Sequence, residues 1–445
     1  MRCLSGIVLL MALSAGSVNG SELRQLTLAE ALREGLEHNH QIRAAGFEAQ
    51  AAQSAASAAS RHYLPSLTVE ETWSRSNLPV NTFMMKLNQG RFDPADMNSL
   101  NNPAPVSDFR SAVLVEQPLL RPSAWAAQRG AARSAERQQA IAELTREQVA
   151  FLIFERYLEV HKSKAHLQSA VKAVEEARES RRQAAARTDA GLGLKSDELR
   201  ADTHLAAMEQ QQISAENNLI LARMQLALAA GGQPGEQLDV HGPAQLAPVV
   251  QSPELLLQQA LRQRQDLQAA ERGKEQADAA VLQARSGFLP TVGAFGSWQM
   301  NDHATPLGRE HDGWATGVTL RWNLFDGFRT KAASDQAVAG RSAANEMLVQ
   351  TRKQVGYQVH EALLRRQEAE KRLTVARSAV AAADEATRLL GKRFDNALAT
   401  MLELLDAQSA LNQARAALVD NEVNLLLANG RVLHAAGIFL KEVQP

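Results

Sequence analysis

The sequence predicts a mainly α-helical chain with a β portion, built from two similar halves that each read helix, strand, strand, helix, helix. Three observations predict it. The chain repeats itself internally, each half holds a pair of short alternating segments, and each half then runs into a periodic stretch too long for a compact domain.

The repetition is direct. Leu64-Pro65 recurs as Leu289-Pro290, and Leu32, Leu36 and Ile42 align with Leu257, Leu261 and Leu267. Phe109, Val113, Val115, Leu119 and Leu120 align with Trp314, Val318, Leu320, Leu324 and Phe325. Arg187, Asp189, Leu192, Leu199 and Ala201 align with Arg393, Asp395, Leu398, Leu405 and Ala407. The repeats are expected over residues 21–235 and 252–437, with a linker at 236–251, a tail at 438–445 and extra residues in the first half between Trp73 and Phe109.

The first helix is expected from Thr27 to about His62, opened by the capping box of Thr27 and Glu30 and stopped by Leu64-Pro65. Its counterpart starts with Ser252 as cap and Pro253 at the first helical position. Strands follow at about 66–77 and 109–118, and at about 291–300 and 314–323. Leu67, Val69 and Trp73 share one parity, as do Phe109, Val113 and Val115, and as do Trp314, Val318, Leu320 and Trp322. Alternation with aromatics at both ends fits a transmembrane β-strand, and equally a half-buried strand of a soluble sheet. A long loop separates the first two strands and holds Asp93, Asp96 and Asn98, which lack the glycine and distal glutamate of a calcium loop.

The periodic stretches run from about Pro122 to Thr188 and from about Phe328 to Phe394. At 1.5 Å per residue each spans roughly 100 Å, which implies coiled-coil or tube-like elements and a helical cylinder. Each turns back at a short tip, Asp189 to Ser196 and Asp395 to Thr400, where Gly191 and Gly193 permit a tight turn and Ser196 and Thr400 are placed as caps.

Composition narrows the function. Of 445 residues, 45% are hydrophobic, 22% charged and only 4% aromatic, and the formal net charge is −1. No electrostatic attraction to nucleic acid is expected. Residues 1–20 read as a secretory signal, with Arg2, the apolar run Ile7 to Leu13, and small residues Ala15, Val18 and Gly20 near the cleavage point. The single cysteine, Cys3, falls within it, so neither disulfide nor thiolate chemistry is expected in the mature chain. No later apolar run reaches the length of a membrane-spanning helix. His38 and His40, and His161 and His166, lack the spacing of a metal site, and no serine elbow or phosphate loop stands out. No enzyme, cofactor or metal is expected.

The acidic residues at the tips are the candidate functional groups: Asp197 and Glu198 in half one, Glu403 and Asp406 in half two. Locally they read as helix caps, because Thr400 and Glu403 form a capping box and the first turn favours anions. Glu403 and Asp406 also share a helix face, and a symmetric tube would repeat that face as stacked carboxylate rings, a cation-preferring constriction.

These features together resemble the TolC-like outer-membrane efflux proteins. The motifs are Leu-Thr-Leu-Ala-Glu-Ala-Leu at 26–32, Tyr-Leu-Pro-Ser-Leu at 63–67, Glu-Gln-Pro-Leu-Leu at 116–120, Arg-Trp-Asn-Leu-Phe-Asp-Gly at 321–327 and Leu-Glu-Leu-Leu-Asp-Ala-Gln at 402–408. The resemblance implies a homotrimer whose strands close one β-barrel in the outer membrane, continuous with a periplasmic α-helical barrel. It implies a passive exit duct for efflux or type I secretion, partnered by a periplasmic adaptor and an inner-membrane pump of RND or ABC type. Glu403 and Asp406 match the acidic constriction, Ser196 and Asp197 match latch positions, and Gly191, Leu192, Ala397 and Leu398 match adaptor-contacting turns. Trp73, Phe109, Val113, Val115, Trp314, Val318, Leu320 and Trp322 become lipid-facing or girdle positions. Ala399 departs from the pattern, standing where some members carry a basic latch partner, and Lys195 and Arg393 are the nearest substitutes. The competing reading is a soluble periplasmic coiled-coil adaptor or scaffold.

Overall fold

The computed structural model describes residues 23–99, 101–242, 244, 246 and 251–443; the expected signal sequence lies outside the described residues. In chain order the elements are β1 (Arg24–Leu26), α1 (Leu28–His38), α2 (His40–Ser60), β2 (Ser66–Ser76), α3 (Pro79–Asn88), β3 (Val106–Leu120), α4 (Pro122–Asp189), α5 (Lys195–Ala229) and β4 (Leu238–Val240). The second half continues with α6 (Pro253–Gln263), α7 (Gln265–Arg285), β5 (Thr291–Asp302), β6 (His311–Arg321), α8 (Arg329–Asp395), α9 (Met401–Ala435) and α10 (Phe439–Val443). The halves match in detail: α4 and α8 have 68 and 67 residues, and α5 and α9 have 35 each. Among the described residues no helix is long and apolar enough to cross a membrane.

The chain divides into two compact units, one made of Ile42–Thr145 and Leu257–Gln358, the other of the segments before, between and after these. The first holds a four-stranded antiparallel sheet in the order β2-β3-β5-β6. Its register aligns Val69, Val113, Trp298 and Trp314 across all four strands, and Leu67, Val115 and Gly296 in the next row. Ala294 pairs with Val318 and Val292 with Leu320. Because side chains alternate with period two, these residues share one face. The face is apolar and open: Val69 is 71% exposed, Trp314 78% and Val318 68%. Thr68, Glu70, Thr72, Arg110 and Glu116 take the opposite face, where Arg110 pairs with Glu70 at 3.2 Å.

Several expectations are corrected in this unit. The long loop after β2 contains the helix α3, opened by Pro79 at its first turn and closed by a Phe83–Phe92 edge contact at 5.1 Å. Asp96 is a structural anchor there, accepting from Lys86 at 2.6 Å. Pro at a first helical turn is favourable, and Val80, Phe83, Met84 and Leu87 carry the i, i+3, i+4, i+7 spacing of a helix, so the expectation of a loop overlooks a signal the sequence holds. Trp322 lies just past β6, and its indole N–H donates to the Phe288 carbonyl at 3.0 Å. The strand stops short of it because pairing with β5 ends at Thr291–Arg321.

The expected single helix from Thr27 to His62 is broken at Asn39. The Thr27–Glu30 capping box forms as expected. Asn39, however, takes φ −65° and ψ 126°, its side-chain oxygen accepts from the Gln41 N–H at 2.8 Å, and its amide donates to the Ala229 carbonyl at 2.9 Å. The asparagine thus ends one helix and starts the next, which short polar side chains do well. The same backbone break recurs in the second half at Arg264, with identical φ and ψ.

The second unit contains the other correction. The linker carries β4, which pairs in parallel with β1 through Arg24–Leu238 and Leu26–Val240. Three-residue strands are too short for alternation to show. Tyr157, fully buried, donates its hydroxyl to the His241 carbonyl at 3.0 Å, and Asp239 is held between Lys164 at 3.2 Å and Arg223 at 3.1 Å. An aromatic core of Phe151, Phe154 and Phe439 lies in the same unit, with His434 stacked on Phe151 at 4.6 Å. The segment expected as a tail supplies Phe439, on α10.

Candidate functional site

The candidate site is built from the two hairpin tips, α4 to α5 and α8 to α9. Both turns close alike. The Leu192 N–H donates to the Arg187 carbonyl at 2.8 Å and the Gly191 N–H to that of Thr188 at 3.0 Å. The Leu398 N–H donates to the Arg393 carbonyl at 2.7 Å and the Ala397 N–H to that of Phe394 at 3.0 Å. This is the paired closure that follows a helix when the next residue is left-handed. Gly191 has φ +72° and Ala397 φ +58°, so the second tip carries a Cβ where L-residues meet a penalty of roughly 1–2 kcal/mol. Leu192 and Leu398 project outward, 77% and 67% exposed. Leu398 borders a groove with Leu389, Leu390, Arg393 and Asn396.

Inside the tips, Ala184 and Ala201 of the first hairpin pack with Phe394, Met401, Leu404 and Leu405 of the second. This buried face fixes the outward one: Glu403 and Asp406 are exposed, away from Met401, Leu404 and Leu405. Thr400 caps α9 as expected, and the Glu403 carboxylate accepts from the Thr400 N–H at 2.7 Å and from its hydroxyl at 2.9 Å. The capping role of Glu403 is therefore real.

Ser196 is not a cap. The helix begins at Lys195, with Leu194 extended before it and no side-chain cap bond, and Lys195 pairs with Glu198 across the first turn at 2.7 Å. The two candidate cations for Asp197 are engaged elsewhere, Lys195 by Glu198 and Arg393 by the Leu398 carbonyl at 3.2 Å. Asp197 itself is half-buried in the first turn of α5. Gly193 does not adopt a positive φ; instead a Cβ there would sit 3.1 Å from the Thr188 nitrogen, so it permits a close approach.

Sequence patterns miss the group that ties the tips together. Arg187 donates to the Phe394 carbonyl at 2.6 Å and lies over the Phe394 ring at 4.6 Å. Its only sequence signal is the repeat alignment with Arg393. Deeper, Gln408 donates to the Ser180 hydroxyl at 2.9 Å, also between hairpins.

The Thr400 N–H and then its hydroxyl hold Glu403 below the usual carboxylate range, against a smaller opposing effect of desolvation. A folded pKa below the unfolded one contributes stability above the unfolded value and loses it as pH falls through the folded value. Amide exchange at the start of α9 should therefore accelerate as pH drops from about 5 to about 3, beyond the intrinsic pH effect. In Thr400→Ala that added acceleration should vanish; its persistence would assign the effect to other groups.

The description "outer membrane efflux protein" belongs to the family that matches residues 31–232 and 256–437, most of the chain and both halves. The chain belongs to this family. No curated protein matches it. Among solved structures, the Vibrio cholerae outer membrane protein VceC is 20% identical with TM-score 0.79, over 92% of this chain and 96% of that one. The Campylobacter jejuni CmeC outer membrane channel is 15% identical with TM-score 0.81, over 99% and 94%. A Pseudomonas aeruginosa membrane protein is 20% identical with TM-score 0.80, over 92% and 93%. These likenesses establish the TolC-like fold. Membership places the protein in the outer membrane, reaching into the periplasm, among efflux channels, and sets aside the soluble scaffold.

Proposed function

We propose that the protein is the passive exit duct of a tripartite efflux or type I secretion system, gated at its hairpin tips. The observation that carries this is the sheet. It is apolar on one open face and ends in the edge strands β2 and β6, whose outer edges are unpaired among the described residues. Lipid offers no water to satisfy such edges, and four strands are too few to close a barrel alone. Closure by further copies answers both demands, and a homotrimer is the assembly the family resemblance implies. Trp73, Phe109, Val113, Val115, Trp314, Val318 and Leu320 then meet lipid, with Trp322 at the interface.

In the same assembly Glu403 and Asp406 line a ring of carboxylates at the constriction, while Ser196 and Asp197 lie beside it on the neighbouring hairpin. The exposed turns at Gly191, Leu192, Ala397 and Leu398 receive the periplasmic adaptor, and an inner-membrane pump of RND or ABC type supplies the energy. Opening is an untwisting of the tips with the sheet unchanged.

Conductance in planar bilayers tests it. The mature chain should give small cation-selective openings, and Asp406→Ala should enlarge them by at least about twofold while weakening cation preference. Glu403→Ala should act in the same direction and also loosen α9. Insertion with unchanged conductance in both variants would move the gate away from these residues, and failure of the folded protein to insert would end the duct reading.

A further inference from the structure

The hairpin joining β5 to β6 brings together three side chains that the gate and the apolar face do not use. Asp302 ends β5, His303 follows it, and Glu310 immediately precedes β6. A carboxylate oxygen of each acid and an imidazole nitrogen of His303 all lie within 4.8 Å of one another. The register is responsible: Asn301 pairs with His311, and the Glu310 N–H donates to the Asn301 carbonyl at 3.2 Å, so residues seven and eight positions apart in sequence meet across the strands.

Each acid is oriented from behind. Asp302 Oδ1 accepts the backbone N–H groups of Ala304 and Thr305, both at 2.8 Å, and the residue is nearly buried. Glu310 Oε2 accepts the His303 backbone N–H at 3.0 Å, while Oε1 meets the His303 ring nitrogen Nδ1. At Gly308 a Cβ would collide with Asp302 Oδ2 and stand 2.6 Å from the Thr305 hydroxyl. The turn therefore wraps the Asp302 carboxylate and keeps side-chain bulk out of the space beside it.

One imidazole nitrogen with two carboxylate oxygens is a donor set for zinc and its neighbours, whereas calcium and magnesium prefer oxygen alone. Backbone donors that fix one oxygen of each carboxylate are the outer-shell support such sites use. We propose that Asp302, His303 and Glu310 bind one divalent transition-metal ion of the zinc class and so clamp the β5–β6 hairpin. The ion replaces the direct His303–Glu310 contact by a bond to each, with water completing its coordination. The proposal does not rest on the duct reading, because its readout is binding and not conduction.

The test uses the full mature chain, purified in detergent without a polyhistidine tag. Titration calorimetry with zinc chloride should show one saturable site per chain. His303→Ala and Glu310→Gln should each weaken it at least about tenfold, while His311→Ala, the adjacent imidazole, should leave it intact. In an independent readout on the unaltered chain, zinc should slow trypsin cleavage after the exposed Arg309, and magnesium at equal concentration should not. Equal zinc binding by the chain and its His303→Ala variant, loss on His311→Ala, or absence of binding with no protection of Arg309 would each overturn the site and leave His303 and Glu310 as an ordinary hydrogen-bonded pair.

Discussion

A chain carrying Val69→Arg and Val318→Arg should fail to reach the outer membrane as a folded, heat-modifiable species. Both positions lie on the open apolar face, on the two edge strands, and they share no partner: Val69 pairs with Val113 and Val318 with Ala294. An arginine on the lipid face near the bilayer midplane costs about 2–4 kcal/mol, and distant sites add. The sum of roughly 4–8 kcal/mol approaches the whole stability of a typical fold. The control is on the other face. Thr68→Arg and Thr319→Arg sit one residue away on the same strands, so they enter the same backbone with the opposite orientation. Their assembly should be close to normal. Membrane fractionation with unheated and heated electrophoresis reads both pairs. Equal tolerance would mean that the apolar face does not meet lipid, and equal damage would mean that strand disruption, not facing, governs insertion.

The alternation that motivates this experiment is legible in the amino-acid sequence, because a period of two repeated over ten residues has few other sources. Trp314, Val318 and Leu320 mark one face, and the register places Val69, Val113 and Trp298 on it as well. The long helices are legible for the same reason, since sustained periodicity and a duplicated chain reinforce each other. What sequence does not show is decided at single residues or across distant ones. The break at Asn39 is held by a local bond to Gln41 and by an amide reaching Ala229, some 190 positions away, and the second has no trace in neighbouring residues. The β1–β4 pair is too short to carry a pattern, whereas α3 does carry one, in Val80, Phe83, Met84 and Leu87. At the tips, the Thr400–Glu403 box is readable because capping is local. Arg187 on Phe394 is not, because nothing near either residue reports the other. The same holds for Asp302, His303 and Glu310, which only the hairpin register unites. Local chemistry is written in neighbours, and long-range chemistry needs the fold first.

Phe154→Ala should destabilise the helical unit by about 3–5 kcal/mol, the largest loss expected from a single truncation here. The ring is fully buried, with Phe439 at 5.3 Å and Phe151 at 5.9 Å between centroids. It presses on the backbone of α9 at Gly430, where a Cβ would collide with it. That contact explains a glycine inside a 35-residue helix, where alanine would otherwise be favoured by about 1 kcal/mol. Gly430→Ala alone should therefore destabilise, because overpacking against an immobile ring costs about 1–3 kcal/mol and outweighs the gain in helix propensity. In the Phe154→Ala background the sign should reverse: the methyl enters space the ring has left, and the propensity gain is recovered. Unfolding followed by helical circular dichroism in all four combinations gives the coupling directly, with an expected size of about 1–3 kcal/mol. Identical effects of Gly430→Ala in both backgrounds would show that the ring does not dictate the glycine, and the aromatic core would then be stabilised by burial alone.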